Sequence, residues 1–199
     1  MRHQALISLK IISHSNIDVV KPYVADTILP KVYVATLVRE DLIRDVNFGP
    51  FIQKVDDGLP LRKNAFLCIE NILDGSPERL ENDNLFEALT RGISDDSDIQ
   101  RLSFSILYKI ADKYPSLIIN RIDRISNQIL KEIKKLLKAK KNDSTDKSST
   151  SLRVILRTIV KINDLDGIDA CEQFASLYSR IKKTTSLNSM LQNRDEVKE

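Results

Sequence analysis

Tryptophan is absent from this 199-residue sequence, glycine occurs five times, and histidine and cysteine occur twice each. So few glycines leave little material for a turn-rich all-β protein and point to a helical chain. Cys68 and Cys171 make neither a metal-ligand spacing nor a disulfide framework, which suits a reducing compartment. Each is read as a small buried apolar residue on a helix. His3 and His14 stand eleven residues apart, about three helical turns, too far to share a metal, and are read as solvent-facing or capping residues. No glycine-rich phosphate loop and no nucleophile elbow occurs. No apolar run approaches the roughly 18 residues of a membrane span, and the first residues lack the layout of a signal peptide. Charge of one sign is lacking too: 31 basic residues against 28 acidic give a formal net charge of +3, too near neutral to demand a polyanionic partner. The expectation is a cytoplasmic and nuclear monomer that is not an enzyme, holds no metal or cofactor, and binds neither nucleic acid nor membrane.

With 42% hydrophobic and 30% charged residues, the composition is that of a folded protein. Placing Asp57 of "DGLPLRKNAFLCIENILDGSPERL" over Asp95 of "DDSDIQRLSFSILYKIADKYPSLI" makes the apolar positions coincide: Leu61 with Ile99, Phe66 with Phe104, Ile69 with Leu107 and Ile72 with Ile110, each at an offset of 38. Their spacing marks one helical face, and Pro77 and Pro115 fall just past its end. "RHQALISLKIISHS" repeats the pattern 60 residues earlier, with Ala5, Leu9 and Ile12 on Ala65, Ile69 and Ile72. A fourth copy is expected at "SLRVILRTIVKIND". A period near 40 built from paired helices is the signature of a HEAT-type α-solenoid, so the fold class is all-α, a HEAT-repeat solenoid.

In that frame B helices are expected at 2–14, 59–74, 97–112 and 150–163. A helices are expected at 17–37, 82–92 and 115–139, with a last helix at 168–183. Pro22 suits a first helical turn, whereas Pro30 is expected to bend or split its helix. "KKNDSTDKSST", 140–150, reads as a flexible loop, and the solenoid is taken to span 1–185, with a polar, disordered tail over 186–199. The array opens on a B helix, which gives the expectation of the C-terminal end of something longer.

One stretch breaks the helical pattern. "LIRDVNF" and "FIQKVDD" are equal in length and rich in Val, Ile and Phe, and Gly49-Pro50 separates them, which predicts a β-hairpin over 42–57. Gly49 is expected to take a backbone conformation closed to other residues. Because a lone hairpin is marginal in water, it is expected to lean one face on the solenoid and offer the other to a partner. The carboxylate pairs of "VDDG" and "SDDSD" each precede a helix and are read as caps, not as catalytic groups.

The stretch "DLIRDVNFGPFIQKVDDGLPLRKNAFLCIENILD", with "TILPKVYVATLVRE" before it and "LYKIADKYPSLIINRIDRI" after it, resembles the C-terminal region of the cullin-associated, neddylation-dissociated proteins. These are large HEAT solenoids that regulate cullin-RING ubiquitin ligases. The resemblance covers roughly residues 2–135 and fades beyond Lys140. It implies a binding protein whose C-terminal repeats lie on the amino-terminal domain of an unmodified cullin that carries its RING subunit. In the family a hairpin from these repeats reaches the surface where the substrate-receptor adaptor docks, so the two compete and adaptors exchange. Carried over by position, the binding residues are Arg44, Asp45, Asn47, Phe48, Gly49, Pro50, Phe51 and Gln53. The alternative is a generic HEAT interaction scaffold of another pathway, such as nuclear transport.

The run "KEIKKLLKAKK", 131–141, is the one concentrated basic segment. With Ile133, Leu136 and Leu137 between its lysines it is read as the solvated face of an amphipathic helix end, the competing readings being an import signal and nucleic-acid binding. No aromatics are interleaved to stack bases.

Overall fold

The structure, a computed structural model, describes residues 2–80, 83–142 and 146–192. The chain divides into two compact units, 1–92 and 93–199. In the first, α1 (Arg2–Ser15), α2 (Ile17–Val20) and α3 (Leu29–Ala35) are followed by β1 (Ile43–Phe48), β2 (Phe51–Asp56), α4 (Leu59–Gly75) and α5 (Asp83–Ile93), whose last residue falls in the second unit. The α4 helix forms because Pro60 occupies its first turn, where no amide hydrogen is needed, and apolar residues then recur at helical spacing. Its buried face, Ala65, Phe66, Ile69, Ile72 and Leu73, packs on α3 and α1. The α1–α4 seam is also polar: Asn71 donates through Nδ2 to the Lys10 carbonyl at 3.0 Å, and the Cys68 thiol points at the Leu6 carbonyl at 3.6 Å.

The second unit contains α6 (Ser97–Lys113), α7 (Pro115–Ile119), α8 (Ile122–Asn142), α9 (Asp146–Asn163), α10 (Glu172–Lys183) and α11 (Thr185–Gln192). Here α6 packs on α9, and α8 packs on α9 and α10. Ile99, Phe104, Leu107 and Ile110 of α6 are buried, as are Leu152, Ile155, Leu156, Ile159 and Ile162 of α9. Asp96 caps α6, its Oδ1 accepting from the Asp98 amide at 2.9 Å. The repeat read from sequence is visible in the elements themselves: α4 and α6 have the same 17-residue length and begin 38 residues apart. The fold class is the expected one, an all-α helical repeat of the solenoid kind with one inserted hairpin.

Several details differ from expectation. The helix expected over 17–37 is four pieces: α2, a 3₁₀ turn at Lys21–Tyr23, a π turn at Val24–Ile28, and α3. Pro22 and Pro30, neither with an amide hydrogen, each sit at the start of a new piece. The helix expected at 115–139 is divided at Asn120 and Arg121. The expected loop 140–150 is mostly helix, because α8 runs to Asn142 and α9 opens at Asp146; residues 143–145 lie outside the described set. Residues 185–192 form α11, with Leu187 buried, where a disordered tail was expected; 193–199 lie outside the described residues. Cys171 precedes α10 instead of lying on a helix. In α1 the counterparts of the α4 core positions are not equally covered: Ile12 is 40% exposed, whereas Ile72 is fully buried.

Candidate functional site: the hairpin and its seat

Strands β1 and β2 pair antiparallel with Arg44 opposite Val55, Asp45 opposite Lys54, Val46 opposite Gln53, Asn47 opposite Ile52 and Phe48 opposite Phe51. The two-residue turn Gly49-Pro50 closes the pair, and Gly49 has φ +64°, in the left-handed region. That value is accessible to glycine at no steric cost, and a Cβ there would meet nothing within 4 Å, so backbone conformation rather than crowding selects glycine. No peptide bond is cis among the described residues.

Because side chains alternate across a strand, the register sorts the expected site residues onto two faces. Arg44, Phe51 and Gln53 share one face with Val46 and Val55, and Phe48 stands opposite Phe51 in the register. Asp45 and Asn47 share the other with Lys54 and Ile52. Arg44, Asp45, Asn47, Gly49, Pro50, Phe51 and Gln53 are exposed; the Phe48 side chain lies outside the described set. Phe51 is 74% exposed and Ile52, absent from the expected residues, 70%. Alternation within "FIQK" could have pointed to Ile52, since two adjacent apolar residues cannot share a face. The hairpin does not lay one face down, as expected. Among the described side chains burial is confined to Ile43, Val46, Val55 and Asp56, which are half-buried, while Asn47, Phe51 and Ile52 further out meet solvent.

The support for this projection lies at its seat. Arg62 of α4, only 2% exposed, donates through Nη2 to Asp56 Oδ2 at 2.8 Å. Asp56 Oδ1 accepts from the Gly58 amide at 2.9 Å. The bond from Arg62 holds the Asp56 carboxyl below its ordinary range; partial burial opposes this, and the guanidinium charge and the Gly58 and Leu59 amides reinforce it. Arg44 reaches Asp57 with Nε at 2.6 Å, and the Asp57 amide donates to the Leu42 carbonyl at 3.0 Å. The Arg44 pair is exposed and adds little, whereas the Arg62 bond is shielded from water and fixes where the strands leave α4. Nothing in the sequence marks the part Arg62 plays in the seat, because a basic residue six positions after an aspartate carries no special signal. Beside the seat, His3, Arg39, Leu42, Asp57, Pro60 and Leu61 line an open recess of about 320 Å³.

Among the described residues no three His, Cys, Asp or Glu side chains gather as metal ligands, and no helix is long and apolar enough to cross a membrane. Burial pushes the Cys68 thiol up to about 12, so it stays protonated and unreactive near neutrality. The outer hairpin presents an exposed aromatic, Phe51, and an exposed aliphatic, Ile52, with the exposed Asp45, Lys54 and Gln53 beside them.

The family described as TIP120, TATA-binding protein interacting (TIP20), matches residues 20–182. The chain belongs to this family. Among curated proteins, cullin-associated NEDD8-dissociated protein 1 of Arabidopsis thaliana is 30% identical over 191 residues, covering 94% of this chain and 15% of the relative. Cullin-associated NEDD8-dissociated protein 2 of Mus musculus is 39% identical over 100 residues, 50% of this chain and 8% of the relative. The protein of Emericella nidulans named cullin-associated NEDD8-dissociated protein 1, C-terminal part, is 32% identical over 124 residues, 62% of this chain and 12% of the relative. The chain thus spans about 15% of the length of the first of these relatives. The matched region 20–182 includes the whole hairpin and its seat.

Proposed function

We propose that this chain is a cullin-binding regulator of ubiquitin-ligase assembly and that its hairpin makes the decisive contact. Membership of the TIP120 family supports the first part, because relatives matched along most of this chain are named for cullin association. The observation that carries the second is a tip with Phe51 and Ile52 both at least 70% exposed on a hairpin anchored through the buried Arg62. Exposed apolar anchors on a rigid support are the residues that concentrate binding energy in protein interfaces. In this reading the helical units lie on the amino-terminal domain of an unmodified cullin, and the tip occupies part of the surface used by the substrate-receptor adaptor. The two ligands then weaken each other by one coupling free energy, so the chain ejects an adaptor and is ejected by one. The protein acts as a monomer in cytoplasm and nucleus, by binding and without catalysis.

The test is a competition titration on a purified cullin amino-terminal domain, with the adaptor as competitor and residues 47–51 replaced by a short Gly-Ser turn as control. Displacement of the adaptor by the intact chain and its loss in the control is the expected result. Equal displacement by both would remove the hairpin from the interface; binding without displacement would leave a cullin scaffold that does not exchange adaptors.

A further inference from the structure

Lys131, Lys134, Lys135 and Lys138 recur along α8 at the spacing i, i+3, i+4, i+7, which places them in a single stripe, and all four are exposed. The opposite side of the helix is fixed in the core through Ile125, Ile129 and Ile133. Cations in the last turn of a helix are stabilised by its dipole, but that effect fades within about one turn. Lys131, Lys134 and Lys135 lie seven or more residues before the end at Asn142, so the dipole does not account for them. Their own spacing is unfavourable, since Lys131 and Lys135, like Lys134 and Lys138, are like charges four apart. Lys135 is 3.4 Å from the nearly buried Glu132, whereas Lys131, Lys134 and Lys138 have no acidic partner among the described residues.

The neighbouring helix strengthens the field. The Phe174 amide in the first turn of α10 donates to Asp123 Oδ1 in the first turn of α8 at 3.0 Å, and the two helices stay in contact beyond it. They therefore run in the same direction. Lys134 stands eleven residues past Asp123 and Lys183 nine past Phe174, so at about 1.5 Å per residue they reach nearly the same height. Arg180, Lys182 and Lys183, in the last turn of α10, thus bring three more cations to this end of the unit.

We propose that the lysine stripe of α8 is a docking surface for an acidic polypeptide segment, a short run of Asp or Glu side chains laid along the helix. The stripe is about 10 Å long, which three or four extended residues match. An acidic segment supplies the missing counter-charges and relieves the repulsion built into the spacing. Nucleic acid fits less well: the stripe has no arginine fork for phosphate and no free aromatic, since Tyr178 is stacked on Phe174 and covered by Lys182 at 4.5 Å. A bilayer fits less well again, because the apolar side of α8 is buried and cannot insert.

The experiment is fluorescence anisotropy of the full chain with labelled dodecaglutamate, dodecaglutamine and dodecauridylate at low salt. In Lys131→Glu/Lys134→Glu each new glutamate stands four residues before Lys135 or Lys138, the favourable order for a helical ion pair, so the variant stays folded and melts no earlier while the stripe is neutralised. Dodecaglutamate is expected to bind at least about ten-fold more tightly than dodecaglutamine, to lose about ten-fold in that variant, and to change less than about two-fold in Lys31→Glu, an exposed site in the other unit. Equal binding of dodecaglutamine, an equal loss in Lys31→Glu, or tighter binding of dodecauridylate would each overturn the proposal.

Discussion

At the tip, Phe51 meets mostly water, so its truncation removes a potential contact and almost no internal packing. Within the proposed function, Phe51→Ala is therefore expected to weaken cullin binding at least about ten-fold, about 1.4 kcal/mol or more, and to leave the melting of the helical fold unchanged. Calorimetric titration beside a circular-dichroism melt separates these; an unchanged Kd would exclude Phe51 as an anchor, and the same pair of measurements applies to Phe48→Ala. Gly49 differs in kind. With φ +64° and open space around its Cβ, Gly49→Val carries a backbone cost of about 1–2 kcal/mol confined to the hairpin. Cross-strand amide exchange read by NMR should quicken while α4 stays protected. Asp56 is the third such position. Its replacement leaves the buried Arg62 without this carboxylate, so Asp56→Asn is expected to cost about 2–3 kcal/mol at neutral pH. The Asp56 carboxyl is held below its unfolded value, so its contribution is complete above the ordinary carboxylate range and disappears as pH falls through that range to the lowered folded value. Urea unfolding should show the gap between wild type and Asp56→Asn narrowing from pH 7 to pH 3; a gap of constant size would contradict the linkage.

Among the elements, α10 depends on a neighbour for its first turn. Its N-cap is Cys171, whose thiol points instead at the Ile119 carbonyl at 3.3 Å, and Asp123 of α8 supplies the acceptor for the Phe174 amide. Asp123→Ala is expected to cost about 1 kcal/mol and to loosen α10 selectively, visible as faster amide exchange in its first turn. Such a contact is invisible in a sequence, because 51 residues separate its partners and neither lies in a motif. Local patterns were legible: paired β-rich flanks around Gly49-Pro50 predict the hairpin to within a residue or two, and the 38-residue offset predicts α4 and α6. Polar composition misled at the ends. "KKNDSTDKSST" reads as loop, yet lysine, aspartate and serine are tolerated on the exposed sides of helix ends, and α8 and α9 extend into it. Leu187, Met190 and Leu191 do carry helical spacing, and that signal marks α11 despite its polar neighbours. Of the candidate site, the tip was legible from turn chemistry, while the seat was not, because the pairing of Asp56 with Arg62 depends on how the strands return to α4.

For the whole molecule, the decisive quantity is how much of the family's binding surface this chain contains. It spans about 15% of the first matched relatives. A solenoid that wraps a partner distributes its contacts over many repeats, and each engaged repeat raises the local concentration of the next. Within the proposed function, the 199-residue chain should therefore bind a cullin amino-terminal domain on the order of 100-fold or more weaker than a full-length relative, at an unchanged contact through the hairpin. Surface plasmon resonance of both on the same immobilised domain measures this. The hairpin replacement should remove most of the short chain's affinity but only a fraction of the full-length relative's, because the remaining repeats still hold the long protein in place. Equal affinities for the two chains would mean that this segment alone contains the binding energy. An equal proportional loss in both on replacing the hairpin would mean that its contact is uncoupled from the wrapping, and the tip would then act as an independent peptide-like ligand rather than as one anchor of a continuous surface.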